Sequence, residues 1–87
     1  MEITSVRLVE VNKEMSRLKA IATIVFEDVF VVRDIRVIEG DNGLFIAMPS
    51  FQLPNGNFKD ICHPINNDFQ DYISKSIIEE YQKQYVE

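Results

Sequence analysis

The stretch from Asp34 to Ser50 constrains the fold most, because the strongest turn signal of the chain lies there between two β-rich runs. Residues 34–38 alternate polar with apolar side chains, and residues 44–48 are continuously apolar. The turn signal is EGDNG, at positions 39–43. Glycine and asparagine tolerate the positive φ angles of tight reversals, so the pattern predicts a β-hairpin.

More strands are predicted on both sides of this hairpin. Apolar residues alternate at period two from Leu18 to Phe26, and four consecutive apolar residues at 29–32 predict a bulge or bend near Arg33. Residues 50–57 carry a proline and an Asn-Gly pair, and with the polar residues 12–16 they are predicted to be loops. The predicted strands are five, at about 2–11, 18–26, 29–38, 44–48 and 58–62.

The C-terminal part of the chain has the periodicity of an amphipathic helix, at about residues 67–84. Its apolar residues recur every four positions, and Asn67 is the predicted N-cap. One helix laid across an antiparallel β-meander of about five strands predicts a single two-layer α+β domain over residues 1–87. The periodic apolar residues are Phe69, Ile73, Ile77, Tyr81 and Tyr85.

The composition is that of a small globular protein. The chain has 87 residues, of which 46% are hydrophobic and 26% charged. Its apolar runs are shorter than the roughly 18 residues that a spanning helix needs, and it opens on no signal-peptide pattern. Together with the single cysteine, Cys62, these features predict a cytoplasmic protein that does not enter a membrane.

The net charge of −5 comes entirely from the second half of the chain. Residues 1–38 hold six acids and six bases, whereas residues 39–87 hold eight acids and three lysines. We therefore expect a surface that meets a polyanion to draw mainly on the first half.

No catalytic or metal-binding constellation is evident. Cys62 and His63 are adjacent, and if they lie in a strand their side chains point to opposite faces, so they are not expected to pair as nucleophile and base. Cys62 is predicted to pack as a small buried thiol. One histidine and one thiol fall short of a closed zinc site. We predict a protein that is not an enzyme and that uses no metal or cofactor.

Three segments carry a resemblance to a known family. They are MEITSVRL at 1–8, VRDIRVIEGDNGLFIAMPS at 32–50 and FKDICHPIN at 58–66. Together they resemble the SpoVG family, stage V sporulation protein G, a family of bacterial septation proteins. The resemblance implies a small homodimeric α+β protein linked to septation and sporulation, whose members bind DNA or RNA site-selectively as regulators.

The chain departs from this family after the AMPS motif. The family typically has two adjacent basic residues there, and this chain has Phe51 and Gln52, followed by Leu53. Because phosphate contacts need Lys or Arg, nucleic-acid binding is expected to be weaker than in the family. Phe51, Gln52 and Leu53 are instead a candidate loop for a protein partner. The remaining candidates for nucleic-acid contact are Arg7, Lys19, Arg33, Arg36, Ser50 and Lys59.

The strands have apolar residues on both faces, which predicts a homodimer. Ile21 and Val25 lie opposite the main apolar face of their strand, and Ile3, Val9 and Val11 lie opposite Val6 and Leu8. One helix cannot cover both faces of a five-stranded sheet.

Two function classes follow from the sequence. The first is a nucleic-acid-binding regulator of septation and sporulation. The second is a protein-interaction module of the division machinery, with little or no nucleic-acid binding.

Overall fold

The computed structural model describes residues 1–11 and 16–86, apart from the side chain of Val86. It has an antiparallel meander of four strands in the order β1-β2-β3-β4, a separate two-stranded ribbon and one C-terminal helix. The predicted α+β fold is confirmed. The elements are β1 Ile3–Glu10, β2 Leu18–Phe26, β3 Phe30–Gly40, β4 Gly43–Ala47, β5 Ser50–Gln52, β6 Phe58–Asp60 and α1 Asn67–Tyr81, followed by a π-helical segment Gln82–Val86.

The ribbon differs from the sequence prediction. Residues 50–52 were expected in a loop, but they form β5 and pair with β6. The predicted fifth strand therefore pairs with β5 and does not extend the meander, and it ends at Asp60. Local reversal explains the change: Leu53 N–H donates to Asn57 O at 2.6 Å and Gly56 N–H to Leu53 O at 2.9 Å, which closes a tight turn at residues 53–57.

The central hairpin forms where the turn signal predicts it. Gly40 pairs with Gly43, so only Asp41 and Asn42 lie in the connection between β3 and β4. Gly43 has a φ of +118°, which side chains larger than hydrogen rarely tolerate. The hairpin predicted before β2 falls at residues 12–16, and positions 12–15 lie outside the described residues.

Bulges decide which side chains face the core, and two of them lie in β3 and β1. Between Ala22 and Ile24 the register of β3 shifts by one extra residue, and Asp34 at this shift has a φ of +65°. This is the bulge predicted near Arg33. A second shift, at Thr4 in β1, turns Ile3 toward the core with Val6 and Leu8. The prediction that Ile3 lies on the opposite face is wrong, because the bulge resets the alternation.

The helix covers one face of the meander. Ile73, Ile77 and Tyr81 are buried against the core residues of the strands, whereas Tyr85 beyond them is exposed. The N-cap is Asn66 and not Asn67, because the Asn66 side chain accepts from Phe69 N–H at 2.7 Å. The buried strand residues and the residue after β4 are Ala20, Ala22, Ile24, Phe26, Ile35, Val37, Ile46 and Met48. Among the described residues, no helix is long and apolar enough to cross a membrane.

The burial of Tyr81 makes stability depend on alkaline pH. Burial raises the pKa of the Tyr81 phenol, and the carboxylates of Glu10 and Glu39 raise it further. The folded state then keeps a proton that the unfolded state loses above about pH 10. The contribution of Tyr81 is thus complete below that pH and is lost as the pH rises through the raised pKa.

We therefore expect Tyr81→Phe to flatten the alkaline fall in the free energy of unfolding. Urea unfolding followed at several pH values between about 9 and 11 measures this slope. Tyr72→Phe is the matched control, since it removes a phenol that instead accepts a hydrogen bond from Ile3 N–H at 2.8 Å. Equal slopes in the wild type and Tyr81→Phe would contradict the assignment.

Candidate nucleic-acid interface

The face of the meander opposite α1, here called the outer face, carries the candidate site. In β2 the buried residues alternate with Ile21, Thr23 and Val25, which are only half-buried. The helix packs on the buried set, so the outer face is left without helical cover, and of the described elements only the β5–β6 ribbon lies against part of it. Two neighbouring grooves lie along it.

The first groove, the strand groove, runs across β1, β2 and β3 with a volume of about 470 Å³. Arg7 lines it from β1 and Arg33 from β3, and both side chains are exposed. Thr23 lies between them on β2 and adds a hydroxyl. The complete lining is Ser5, Arg7, Thr23, Val25, Asp28, Val31 and Arg33.

The second groove, the ribbon groove, lies between the outer face and the β5–β6 ribbon and has a volume of about 350 Å³. One guanidinium nitrogen of Arg36 donates to Met48 O at 3.3 Å and to Ser50 Oγ at 3.2 Å. These bonds link β3 to the start of the ribbon and fix the position of the positive charge. The complete lining is Ile21, Asp34, Arg36, Pro49, Ser50, Phe58 and Ile61.

The structure brings four of the six predicted contact residues together and separates the other two. Arg7, Arg33, Arg36 and Ser50 line the two grooves of the outer face. Lys19 Nζ instead lies 3.5 Å from Glu39 Oε1, so its charge is already paired.

Lys59 pairs with Phe51 across the ribbon, so both side chains point away from the side that bears Ser50 and Phe58. Lys19 lies at a bulge in β2, and Lys59 lies on the far side because side chains alternate between the two faces of the ribbon. These features separate the two lysines from the grooves.

The candidate partner loop is mainly part of the ribbon. Phe51 and Gln52 belong to β5, and only Leu53 lies in the turn. Gln52 Nε2 donates to Gly56 O at 3.2 Å, and Phe51 is 47% exposed. Gln52 pairs with Phe58, which puts it on the groove side of the ribbon.

The two layers of the domain differ in charge. The linings of the two grooves contain three arginines and the acids Asp28 and Asp34. Helix α1 contains four acids and the single base Lys75. A polyanion is therefore attracted more strongly to the outer face than to the helical layer.

Cys62 and His63 lie away from the outer face. They follow β6 in a bend and not in a strand, and both line an apolar cavity of about 390 Å³ between the sheet and α1. Because they are not in a strand, the alternation of faces expected in a strand does not apply to them, and Cys62 is half-buried and not fully buried. His63 Nδ1 lies 2.9 Å from Pro64 O. The described residues contain no group of three or more His, Cys, Asp or Glu side chains able to hold a metal ion.

Three residues of the ribbon groove that matter to its chemistry were not among the predicted contact residues. Asp34 enters the ribbon groove through the bulge, and Phe58 and Ile61 border it from the ribbon side. The predicted bulge was a usable signal for Asp34. No sequence signal indicated Phe58 and Ile61, because their position depends on pairing between β5 and β6.

Comparison with known proteins places the chain in a family. The family model for SpoVG matches residues 1–83. A protein of Acholeplasma laidlawii named "Putative septation protein SpoVG" is 58% identical over 83 residues, covering 95% of this chain and 87% of that protein. Proteins with the same name are 55% identical in Caldanaerobacter subterraneus and 54% identical in Clostridium perfringens, with 95% of this chain and 90% and 91% of those proteins covered. With this extent and identity of match, the chain belongs to the SpoVG family.

Proposed function

We propose that this protein is a cytoplasmic, non-enzymatic regulator of division septation and sporulation that binds DNA or RNA as a dimer through the outer face of its sheet. The observation that carries the proposal is the convergence of Arg7, Arg33 and Arg36 on two adjoining grooves of that face. Septation is the process named for the relatives. The experiments below test whether the protein binds nucleic acid, through which it would regulate septation.

The arrangement suits a phosphate backbone. Arg7 and Arg33 are exposed, come from different strands and line one groove, so they can contact successive phosphates without burying a charge. Arg36 extends the positive surface into the neighbouring groove. With so few arginines and two acids beside them, we expect binding that is weak and salt-sensitive.

Charge reversal tests the proposal. Replacing both Arg7 and Arg33 with Glu is expected to weaken binding to labelled DNA and RNA and to lower the salt slope by about 0.7 to 0.9 for each lost contact. Fluorescence anisotropy at two or more salt concentrations measures both quantities. The matched control replaces Lys75 and Lys83, two exposed lysines of the helical segment, with Glu.

The control distinguishes the loss of a specific binding site from a general effect of net charge on binding, because both double variants change the total charge by the same amount. Equal loss in both would show that the protein binds without using the outer face. Absence of binding by the wild type at low salt would reject nucleic acid as the ligand.

A protein-interaction module is the second candidate. Phe51 is 47% exposed on the side of the ribbon that faces away from the groove, so a large part of an apolar ring is open to solvent there. A partner from the division machinery would cover it. In that case Phe51→Ala would abolish partner binding and would leave nucleic-acid binding unchanged.

Dimerisation is a separate prediction. Val9 in the edge strand β1 is 69% exposed, and together with Phe45 it gives the outer face apolar area outside the linings of both grooves. We expect a homodimer mass in light scattering at micromolar concentration, and a shift to monomer in Val9→Asp because a charge would enter the interface.

Val29→Asp is the control for the dimer, since Val29 is 84% exposed in the turn between β2 and β3. It should retain the dimer mass. A monomer mass for the wild type would reject the dimer, and dimerisation of Val9→Asp would place the interface elsewhere.

A further inference from the structure

The ribbon groove contains more than a phosphate-binding surface requires. Beside Arg36 and Ser50 it includes an aromatic ring, Phe58, which is 68% exposed, and Ile61, which is 64% exposed. Phosphates gain nothing from an exposed aromatic ring. The faces of nucleobases do, because stacking on a side-chain ring is favourable for every base.

A base face is available for such stacking only when the base is unpaired and unstacked. In a duplex the neighbouring base pairs cover both faces of each base. Phe58 stands on a short ribbon above the sheet, so the groove can receive a base that is turned out from a flexible strand. The groove volume of about 350 Å³ is at the lower end of the range of about 300 to 1,000 Å³ for small-molecule sites.

Asp34 gives the groove an acceptor. Its φ of +65° lies in the left-handed region, which aspartate tolerates better than most residues with a side chain, and its carboxylate repels phosphate. Among the described residues, its side chain makes no hydrogen bond within the chain and no ion pair, although it lies in a groove with Arg36. The β3 bulge at Asp34 is a feature often found beside functional sites, where a bulge changes the direction of a side chain.

A carboxylate discriminates among bases. It accepts hydrogen bonds from the exocyclic amino groups of adenine, cytosine and guanine. Uracil and thymine have no amino group, and their one Watson–Crick donor, N3–H, lies between two carbonyl oxygens that a carboxylate repels. Arg36, held by Met48 and Ser50, can donate to a ring nitrogen, a carbonyl oxygen or the adjoining phosphate.

We propose that the ribbon groove binds one unpaired base of a single-stranded nucleic acid and selects an amino-bearing base over uracil or thymine. Phe58 stacks on the base, Asp34 accepts from its amino group, and Arg36 neutralises the strand beside it. This inference rests on the proposed function and specifies the ligand of the same face.

Homopolymers test the selectivity. Anisotropy titrations of the wild type with labelled rA, rC and rU decamers, and with dA, dC and dT decamers, should give affinities for adenine and cytosine at least about fivefold higher than for uracil or thymine. The RNA and DNA arms show whether the sugar contributes as well. Asp34→Asn should reduce the preference to less than about twofold, because an amide offers both a donor and an acceptor and it tolerates the same φ.

The ring is tested by Phe58→Ala, which should weaken single-strand binding by about 5- to 100-fold and duplex binding by much less. Phe51→Ala is the matched control, since Phe51 is an exposed phenylalanine of the same ribbon on its opposite side. It should change affinity by less than twofold. Circular dichroism confirms that each variant is folded.

The outcomes distinguish the inference from the proposed function. Salt-sensitive binding that is equal for all homopolymers, or that is unaffected by Phe58→Ala, would overturn the base pocket and leave the arginine surface standing. A preference that persists in Asp34→Asn would overturn the role of Asp34. Failure of every single strand and duplex to bind would overturn both.

Discussion

Ile77→Asp is expected to unfold the domain. Ile77 is completely buried where α1 meets the core strands, so a carboxylate there would lose its hydration without gaining a partner. The cost is expected to be several kcal/mol, against a total stability of about 5 to 10 kcal/mol for a domain of this size. Circular dichroism should show no cooperative thermal transition, or one shifted far below that of the wild type.

Lys75→Asp is the control for this prediction. It introduces the same residue two positions earlier in the same helix, where the side chain is exposed and makes only a 4.0 Å ion pair with Glu79. Because exposed pairs contribute little, its melting temperature should stay close to that of the wild type. If Ile77→Asp melted like the wild type, the helix could not pack through Ile77.

Restoring positive charge to the ribbon is expected to strengthen nucleic-acid binding. Phe51→Lys with Gln52→Arg supplies the two adjacent basic residues that the family resemblance implies after AMPS. Each new phosphate contact should steepen the salt slope by about 0.7 to 0.9. Both positions lie in β5 between Pro49 and Pro54, so little further ordering of the backbone opposes the gain.

The two substitutions should contribute differently when they are separated. Position 52 pairs with Phe58, which lines the ribbon groove together with Arg36, whereas position 51 pairs with Lys59 on the other side. Gln52→Arg alone should therefore reproduce most of the gain if the ligand lies in the ribbon groove. An equal gain from Phe51→Lys alone would indicate a strand that wraps around the ribbon.

Wild-type behaviour decides how this experiment is interpreted. Phe51→Gln is the uncharged control, since it removes the apolar ring without adding a positive charge. Tight and steeply salt-dependent binding by the wild type would show that Arg7, Arg33 and Arg36 suffice and that the residues after AMPS are unimportant. No binding by the wild type, with loss of a protein partner in the double variant, would favour the interaction module.

Most of the fold could be predicted because its signals are local. The period-two alternation of β2, the EGDNG turn and the four-residue period of the helix each reflect a backbone geometry that acts over a few residues. Two departures from the prediction, the Asn66 N-cap of the helix and the inward turn of Ile3 in β1, arise at an element end and at a bulge. At such places a shift of one residue changes which group is capped or buried.

The sequence by itself determined the fold class, the central hairpin, the amphipathic helix and the location of the whole net negative charge in the second half of the chain. Only the tertiary structure decided that Arg7, Arg33 and Arg36 share one face, that Lys19 is paired with Glu39, and that Lys59 points away from the grooves. The physical reason is that these relations depend on pairing between strands. The bulges at Thr4, Lys19 and Asp34 and the pairing of β5 with β6 set the direction of each side chain, and a linear pattern of residue types does not contain them.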